Sequence, residues 1–290
     1  MPVRGTYLGP YRILSEIRSG STCVVCDGIN DSTGERAALK ILEGDLAKNR
    51  VELGYLKHEY EVGKPLDHPH VIRIYTLGRD KGAHYLAMEL FASPNLKQRI
   101  VQGVEALAPL APTWIRGAAE GLAYFHSHGW IHRDIKPDNF LVNDQGDVKL
   151  IDFALASKPK GLLGRLLSGR VKIQGTRSYM SPEQIRGQSL DQRADIYSFG
   201  CMVHELLSGK PPYTGVSTQD LLTKHLRSPI PPVQANNRNV TDDFAALVKA
   251  MLAKNPDDRP PSMDDVLGEI RTRQVFKIPP PARKPAAGQG

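Results

Sequence analysis

His132-Arg133-Asp134-Ile135-Lys136-Pro137-Asp138-Asn139 is the stretch on which the reading of this chain turns. Asp134, Lys136 and Asn139 bring a carboxylate, an ammonium and a carboxamide within six residues of one another. Pro137 lacks a backbone donor and forbids a continuous helix, so the octapeptide reads as a loop held between elements. A short strand pattern, Phe140–Val142, follows directly. Phosphoryl transfer asks a protein to orient a hydroxyl, to neutralise charge on the moving group and to hold a divalent metal. These three side chains answer those needs; a polar loop of coincidental composition is the plain alternative.

Two other stretches bear on the same chemistry. Val148–Ile151 reads as a second short strand after the Asn143–Gly146 turn, with Asp152 of Ile151-Asp152-Phe153-Ala154 at its tip. Aspartate often ends a strand, but at this distance after Asp134 it is a candidate metal ligand. Lys40 closes the apolar strand Ala37-Ala38-Leu39-Lys40. A buried ammonium needs a partner or a phosphate, and Glu59 on the following helix can serve as the partner. For a lysine standing alone, a surface position is the default.

The rest of the chain is consistent with a globular protein. Of its 290 residues, 40% are apolar and 24% charged, which excludes a disordered chain. The formal charge of +7 favours acidic partners such as nucleotides, yet no dense Lys/Arg run marks a nucleic-acid stripe. Three cysteines, Cys23, Cys26 and Cys201, suit a reducing compartment rather than a disulfide framework. The lone Cys23–Cys26 pair lies in an apparent strand, where residues three apart face opposite sides, against a shared metal or redox role. No signal-like run and no stretch of membrane-span length is seen, so a soluble, cytoplasmic protein without membrane contact is expected. The oligomeric state is left open.

Periodicity divides the chain. Tyr11–Arg18, Cys23–Asn30 and Arg36–Leu42 read as strands, 46–64 as a helix ended by Pro65, and Val71–Leu77 and His84–Met88 as strands about a turn at 78–82. After Phe91 helical patterns dominate, at 95–103, 113–128, 194–208, 218–226, 241–253 and 262–272. The expected fold is α+β and bilobal. Residues 1–90 form a small β-rich lobe with one main helix. Residues 91–273 form a larger helical lobe that includes the segment 152–183, and 274–290 form a Pro/Ala-rich tail or linker. A cleft between lobes is a natural ligand site.

Several of these stretches, in this order, resemble the eukaryotic-like (Hanks-type) Ser/Thr protein kinases, and within them the bacterial branch, over about Tyr11 to Arg271. The resemblance implies a protein-kinase-like fold and transfer of phosphate from ATP to Ser/Thr hydroxyls of a protein substrate, autophosphorylation included. Mg²⁺ is the implied metal, with Mn²⁺ as a substitute, and no nucleic acid beyond ATP is implied. Asp134 is similar to the catalytic base, Lys136 to the cation over the γ-phosphate, Lys40 to the lysine on the α/β-phosphates and Glu59 to its partner. Asn139 and Asp152 resemble the two metal ligands. Gly20 is similar to the middle glycine of the phosphate loop. Val25, Ala38 and Leu141 are similar to the apolar sandwich around adenine, Met88 to the gatekeeper, Glu89-Leu90-Phe91 to the hinge, and Asn95 to a ribose contact. Thr176 of Gly175-Thr176 is implied to bridge Asp134 and Lys136, Glu183 to pair with Arg259, and Asp195 to hold the backbone of the Asp134 loop.

The sequence departs from the family pattern at two places. In Arg18-Ser19-Gly20-Ser21-Thr22-Cys23-Val24-Val25 only the middle glycine remains, and Arg18 is expected to point to solvent. Ala154 stands where the family has glycine, and an alanine forced to positive φ costs on the order of 1 kcal/mol. That cost predicts restricted flipping of Asp152-Phe153 rather than loss of catalysis. The segment Gly161–Ser168, with Lys158, Lys160, Arg165, Arg170 and Lys172 around it, reads as a basic amphipathic patch, packed on the domain itself or meeting a partner or membrane surface. Ser168 is the nearest phosphoacceptor in it, and Arg133 a receiver for its phosphate. These departures keep open a pseudokinase that binds nucleotide or acts as a scaffold, and a small-molecule phosphotransferase stands behind that.

Overall fold

The computed structural model describes residues 4–20, 22–159 and 175–281. The chain divides into two compact units, Met1–Ser93 with Lys149–Ala156, and Pro94–Val148 with Ser157–Gly290.

The first unit is built on a six-stranded antiparallel sheet: β1 (Tyr7–Leu8), β2 (Tyr11–Ser19), β3 (Val24–Asn30), β4 (Arg36–Leu42), β5 (Ile74–Asp80) and β6 (Ala83–Glu89), in the order β1-β2-β3-β4-β6-β5. Alternation sorts its two faces. Tyr11, Ile13, Val24, Cys26, Ala37, Leu39, Ile41, Tyr85 and Ala87 form one buried cluster. The opposite register places Lys40 across from Val25 and Leu86, and Ala38 across from Asp27 and Met88. Lys40, Ala38, Val25 and Met88 therefore share a face. The turn read at 78–82 is there but narrower, at 81–82. Gly78 lies inside β5, because a Cβ there would stand 2.2 Å from the Tyr85 ring, and the hairpin turns on Lys81 and Gly82, both at positive φ.

The single helix expected over 46–64 is two, α1 (Gly44–Lys48) and α2 (Arg50–Gly63). Asn49 breaks the run with an extended backbone, and its side chain accepts from the Val51 and Glu52 N–H groups as the N-cap of α2. Helix α2 buries Leu56, Glu59, Val62 and Gly63. Gly63 is fixed by space: a Cβ would reach Ile74 at 2.4 Å and Phe153 at 2.9 Å.

The second unit is helical: α3 (Leu96–Ile100), α4 (Val104–Leu107), α5 (Ala111–Ser127), α6 (Pro182–Ile185), α7 (Arg193–Ser208), α8 (Thr218–Arg227), α9 (Asp242–Met251) and α10 (Met263–Thr272). Every residue of α7 from Ala194 to Ser208 is buried, so this helix is the axis of the unit. Helix α5 packs on α10, and α9 on α7. Strand β7 (Phe140–Val142) follows the Asp134 loop. The next strand, β8 (Val148–Leu150), crosses from one unit to the other. The Leu150 N–H donates to the His70 carbonyl and its own carbonyl accepts from Ile72, which fastens 149–156 to the first unit.

The segment read as the start of a tail is packed instead. Val275 and Phe276 are buried, and Phe276 bridges Val240. The basic leucine patch, Ser168 and 160–174 as a whole lie outside the described residues.

Candidate active site

In the first unit, β4 carries Lys40 two residues before its end, and α2 turns Glu59 toward it. Lys40 Nζ lies 2.7 Å from Glu59 Oε2 and 3.4 Å from Asp152 Oδ1. Burial opposes the Lys40 charge, but the Asp152 and Glu59 carboxylates outweigh it and raise its pKa. Glu59, 2% exposed, is pushed above the ordinary glutamate value by burial, with Asp152 adding to the push and Lys40 pulling back.

Around this trio is a cavity of about 150 Å³ lined by Thr22, Cys23, Lys40, Glu59, Asp152 and Ala154, with Glu52 and Tyr55 of α2 at its side. Glu52 and Tyr55 stand seven and four residues before Glu59, on its face of the helix, a spacing legible in the sequence. Phe153, next to Asp152 in the chain, is fully buried. Asp152 has φ +67, and Ala154 is not among the non-glycine residues at positive φ. The strain expected at Ala154 is therefore absent, since the left-handed turn falls one residue pair earlier, on an aspartate, a type that tolerates it.

In the altered phosphate loop, Gly20 and Cys23 are joined by a backbone bond. The Gly20 N–H donates to the Cys23 carbonyl at 2.9 Å, and a Cβ on Gly20 would stand 3.2 Å from that oxygen. Close approach, rather than a left-handed backbone, is what glycine supplies here. Arg18 is exposed, as expected. Cys23 lies just before β3 and faces the cavity, whereas Cys26 is in the core. Burial raises both thiols, Cys26 to about 11. In the hinge stretch the Glu89 carboxylate is bound by Lys149 at 2.7 Å, its N–H donates to Arg73, and the Phe91 carbonyl accepts from Ser93.

In the second unit, the Asp134 carboxylate is held from two directions. Oδ1 accepts from the Thr176 N–H at 2.8 Å and its hydroxyl at 3.0 Å. Oδ2 accepts from Lys136 at 2.6 Å and from Asn139 Nδ2 at 3.3 Å. Lys136 also donates to Thr176 Oγ1 at 2.8 Å. Thr176 thus bridges Asp134 and Lys136. Gly175 permits the approach: its φ is +112, and a Cβ would meet the Arg133 carbonyl at 3.0 Å. Asn139 spends its amide nitrogen on the Asp134 carbonyl, at 2.8 Å, which leaves the amide oxygen as a hard donor.

The loop is held from below. Asp195 accepts from the His132 N–H at 2.7 Å and the Arg133 N–H at 2.8 Å. His126 approaches the same carboxylate at 2.9 Å, and Gln184 donates to the Arg133 carbonyl at 2.9 Å. These two residues escaped the sequence reading; each is a lone polar residue on a helix without a spacing to mark it. Arg259 and Glu183 form a buried bidentate pair at 2.7 and 2.9 Å. Asn95 does its work in the cap of α3, accepting from the Gln98 N–H at 2.8 Å, while its own N–H donates to the Gln98 side chain. Leu141 forms a bridge with Asn95.

Two charge-bearing sets of this kind, one on a sheet unit and one on a helical unit, are the features that carry the kinase resemblance. Residues 11–269 match the protein kinase domain, and the chain belongs to that family. It is similar to the serine/threonine-protein kinase PknL of Mycobacterium tuberculosis, 32% identical over 249 residues, covering 86% of this chain and 62% of PknL. PknB of Mycolicibacterium smegmatis is 35% identical over 228 residues, 77% of this chain and 36% of PknB. PrkC of Bacillus subtilis is 30% identical over 268 residues, 91% of this chain and 40% of PrkC. The chain thus spans less than two thirds of the length of these relatives. Among the described residues, no helix is long and apolar enough to cross a membrane.

Proposed function

We propose that this chain phosphorylates Ser/Thr hydroxyls of proteins with ATP, autophosphorylation included, with Mg²⁺ as the metal and Mn²⁺ as its substitute. The observation that carries the reading is the Asp134 carboxylate bound by both Thr176 and Lys136. A small-molecule phosphotransferase has no need of a threonine-anchored segment that leads on to Arg177–Tyr179. The named function of the three relatives points the same way.

The donor set fits a hard divalent cation. Asn139 offers an amide oxygen and Asp152 a partly exposed carboxylate, both of the type that Mg²⁺ takes. Held by such oxygens, Mg²⁺ would supply charge neutralisation on the phosphate oxygens. Lys40, fixed by Glu59, binds the α/β-phosphates, and Gly20 gives the loop room to close on them. Asp134 orients the acceptor hydroxyl and receives its proton. The hydroxyl oxygen forms the new bond to the γ-phosphorus as the bond to the β-γ bridging oxygen breaks, and ADP leaves. Lys136 meets the charge on the γ-phosphate. Val25, Ala38 and Met88 supply apolar surface for adenine, with Glu89 and Phe91 offering backbone groups.

The test is transfer of labelled γ-phosphate to a generic basic protein and to the chain itself. Asp134→Asn removes the proton acceptor and is expected to lower the rate by about 10²–10⁴-fold. Equal rates in the two proteins reject the role of Asp134. Binding of ATP and metal without transfer by the unaltered chain establishes the pseudokinase reading instead.

A further inference from the structure

Strand β6 ends at Glu89, beside the residues that lead into β5. The two strands are antiparallel, with Met88 across from Ile74, so the next pair along is Glu89 with Arg73. The Glu89 N–H donates to the Arg73 carbonyl at 2.8 Å. In an antiparallel ladder such a pair exchanges two backbone bonds, and the return bond runs from the Arg73 N–H to the Glu89 carbonyl. Here the Arg73 N–H donates to Glu89 Oε2 instead, at 3.2 Å. The side-chain carboxylate stands in for its own main-chain carbonyl, and the carbonyl is released from the rung.

Lys149 keeps the carboxylate in that place. Its Nζ lies 2.7 Å from Oε1 and 2.8 Å from Oε2. The two side chains are 13% and 26% exposed, so the pair is largely shielded from water. Lys149 is fixed in turn by the chain next to it. The Leu150 N–H donates to the His70 carbonyl, and the Leu150 carbonyl accepts from the Ile72 N–H, each at 2.9 Å. The stretch that anchors Leu150 is thus continuous with Arg73, which receives the Glu89 carboxylate. All of these residues belong to the first unit. A shielded carboxylate that loses its cation is driven toward water. The Arg73 N–H then needs another acceptor, and the Glu89 carbonyl is the one that an ordinary rung supplies.

We propose that Lys149 is a positioning residue for the base of the nucleotide: by holding the Glu89 carboxylate on the Arg73 N–H, it keeps the Glu89 carbonyl available to accept from the exocyclic amine of adenine. The inference rests on the proposed nucleotide site and deepens it. Lys149 acts through Glu89, so its effect belongs to the amine and not to the phosphates. The experiment measures, by calorimetry, binding of adenosine, of purine riboside, which lacks the amine, and of tripolyphosphate with Mg²⁺, which lacks the base. It compares the unaltered chain with Lys149→Met, Lys149→Arg and Glu89→Ala. The unaltered chain is expected to bind adenosine at least about tenfold more tightly than purine riboside, because the analogue leaves the carbonyl unpaired. In Lys149→Met the preference is expected to shrink to within about twofold, through weaker adenosine binding, with tripolyphosphate binding unchanged. Arginine keeps the charge and can span both carboxylate oxygens, so Lys149→Arg restores most of the preference.

A preference for adenosine that survives in Lys149→Met overturns the proposal. So does an equal loss of adenosine and purine riboside binding, since that marks a residue that only staples the strands. If Lys149→Met does not fold, Glu89→Ala decides: it removes the carboxylate itself, and a preference equal to that of the unaltered chain rejects the proposal. An unaltered chain that binds ATP with Mg²⁺ but does not distinguish adenosine from purine riboside rejects the proposal and leaves the nucleotide site standing. An unaltered chain that binds none of these ligands, ATP included, rejects the nucleotide site and the proposal with it.

Discussion

Asp195 shows how one side chain is made to hold a loop. It is buried, which by itself raises a carboxyl, yet the bond and charge of His126 and the His132 N–H prevail and leave it below its ordinary value of 3.8. A depressed folded-state value means that the unfolded chain binds the proton more readily. The stability contributed by Asp195 is then complete above 3.8 and is lost as pH falls through the lower folded value. Thermal unfolding of the chain and of Asp195→Asn is expected to differ at pH 6 and to converge near the acid end. A gap that stays constant with pH would contradict this account. The role of Asp195 was legible only through resemblance, because a carboxylate on an apolar helix has no local pattern of its own. His126 was not legible at all, since its partner lies sixty-nine residues away.

Elements were legible where their own residues decide them. The strands at 36–42 and the helices α7 and α10 follow their hydrophobic periods to within a residue or two of the reading. The misreadings have tertiary causes. Gly78 looks like a turn residue, but Tyr85 claims the space where its side chain would be. Gly78→Ala is accordingly expected to destabilise the chain by about 1–3 kcal/mol through overpacking, read as a lower urea midpoint at unchanged slope. A midpoint equal to that of the unaltered chain would show that Tyr85 moves aside freely. Asn49 misled in the other direction. A cap inside a helical pattern looks like a helix interior until its extended backbone is seen. Val275 and Phe276 were lost in the Pro-rich composition around them, although two apolar residues in such a stretch were a signal to weigh.

At the scale of the molecule, the groups proposed to hold nucleotide and those proposed to orient the hydroxyl belong to different units, Lys40, Glu59 and Asp152 to one and Asp134, Lys136 and Thr176 to the other. Binding and transfer should therefore separate by mutation. Asp134→Asn is expected to keep the stabilisation given by Mg²⁺ and ATP, about 2.7 kcal/mol at a hundred times Kd, seen as a raised Tm. Chelation of the metal should remove most of that rise. A variant that loses both binding and transfer would contradict the division. The same separation explains why the motifs could be read singly while their cooperation could not: each is a local word, and only the fold assembles Asp152 with Lys40, over a hundred residues apart in the chain.

The backbone at Asp152 and Ala154 has a consequence for how such chains are recognised. The demand for a left-handed residue falls on the aspartate, so nothing in the local geometry requires a glycine two places later. A search pattern written with glycine there tests ancestry rather than mechanics, and would discard chains whose main chain never needed it.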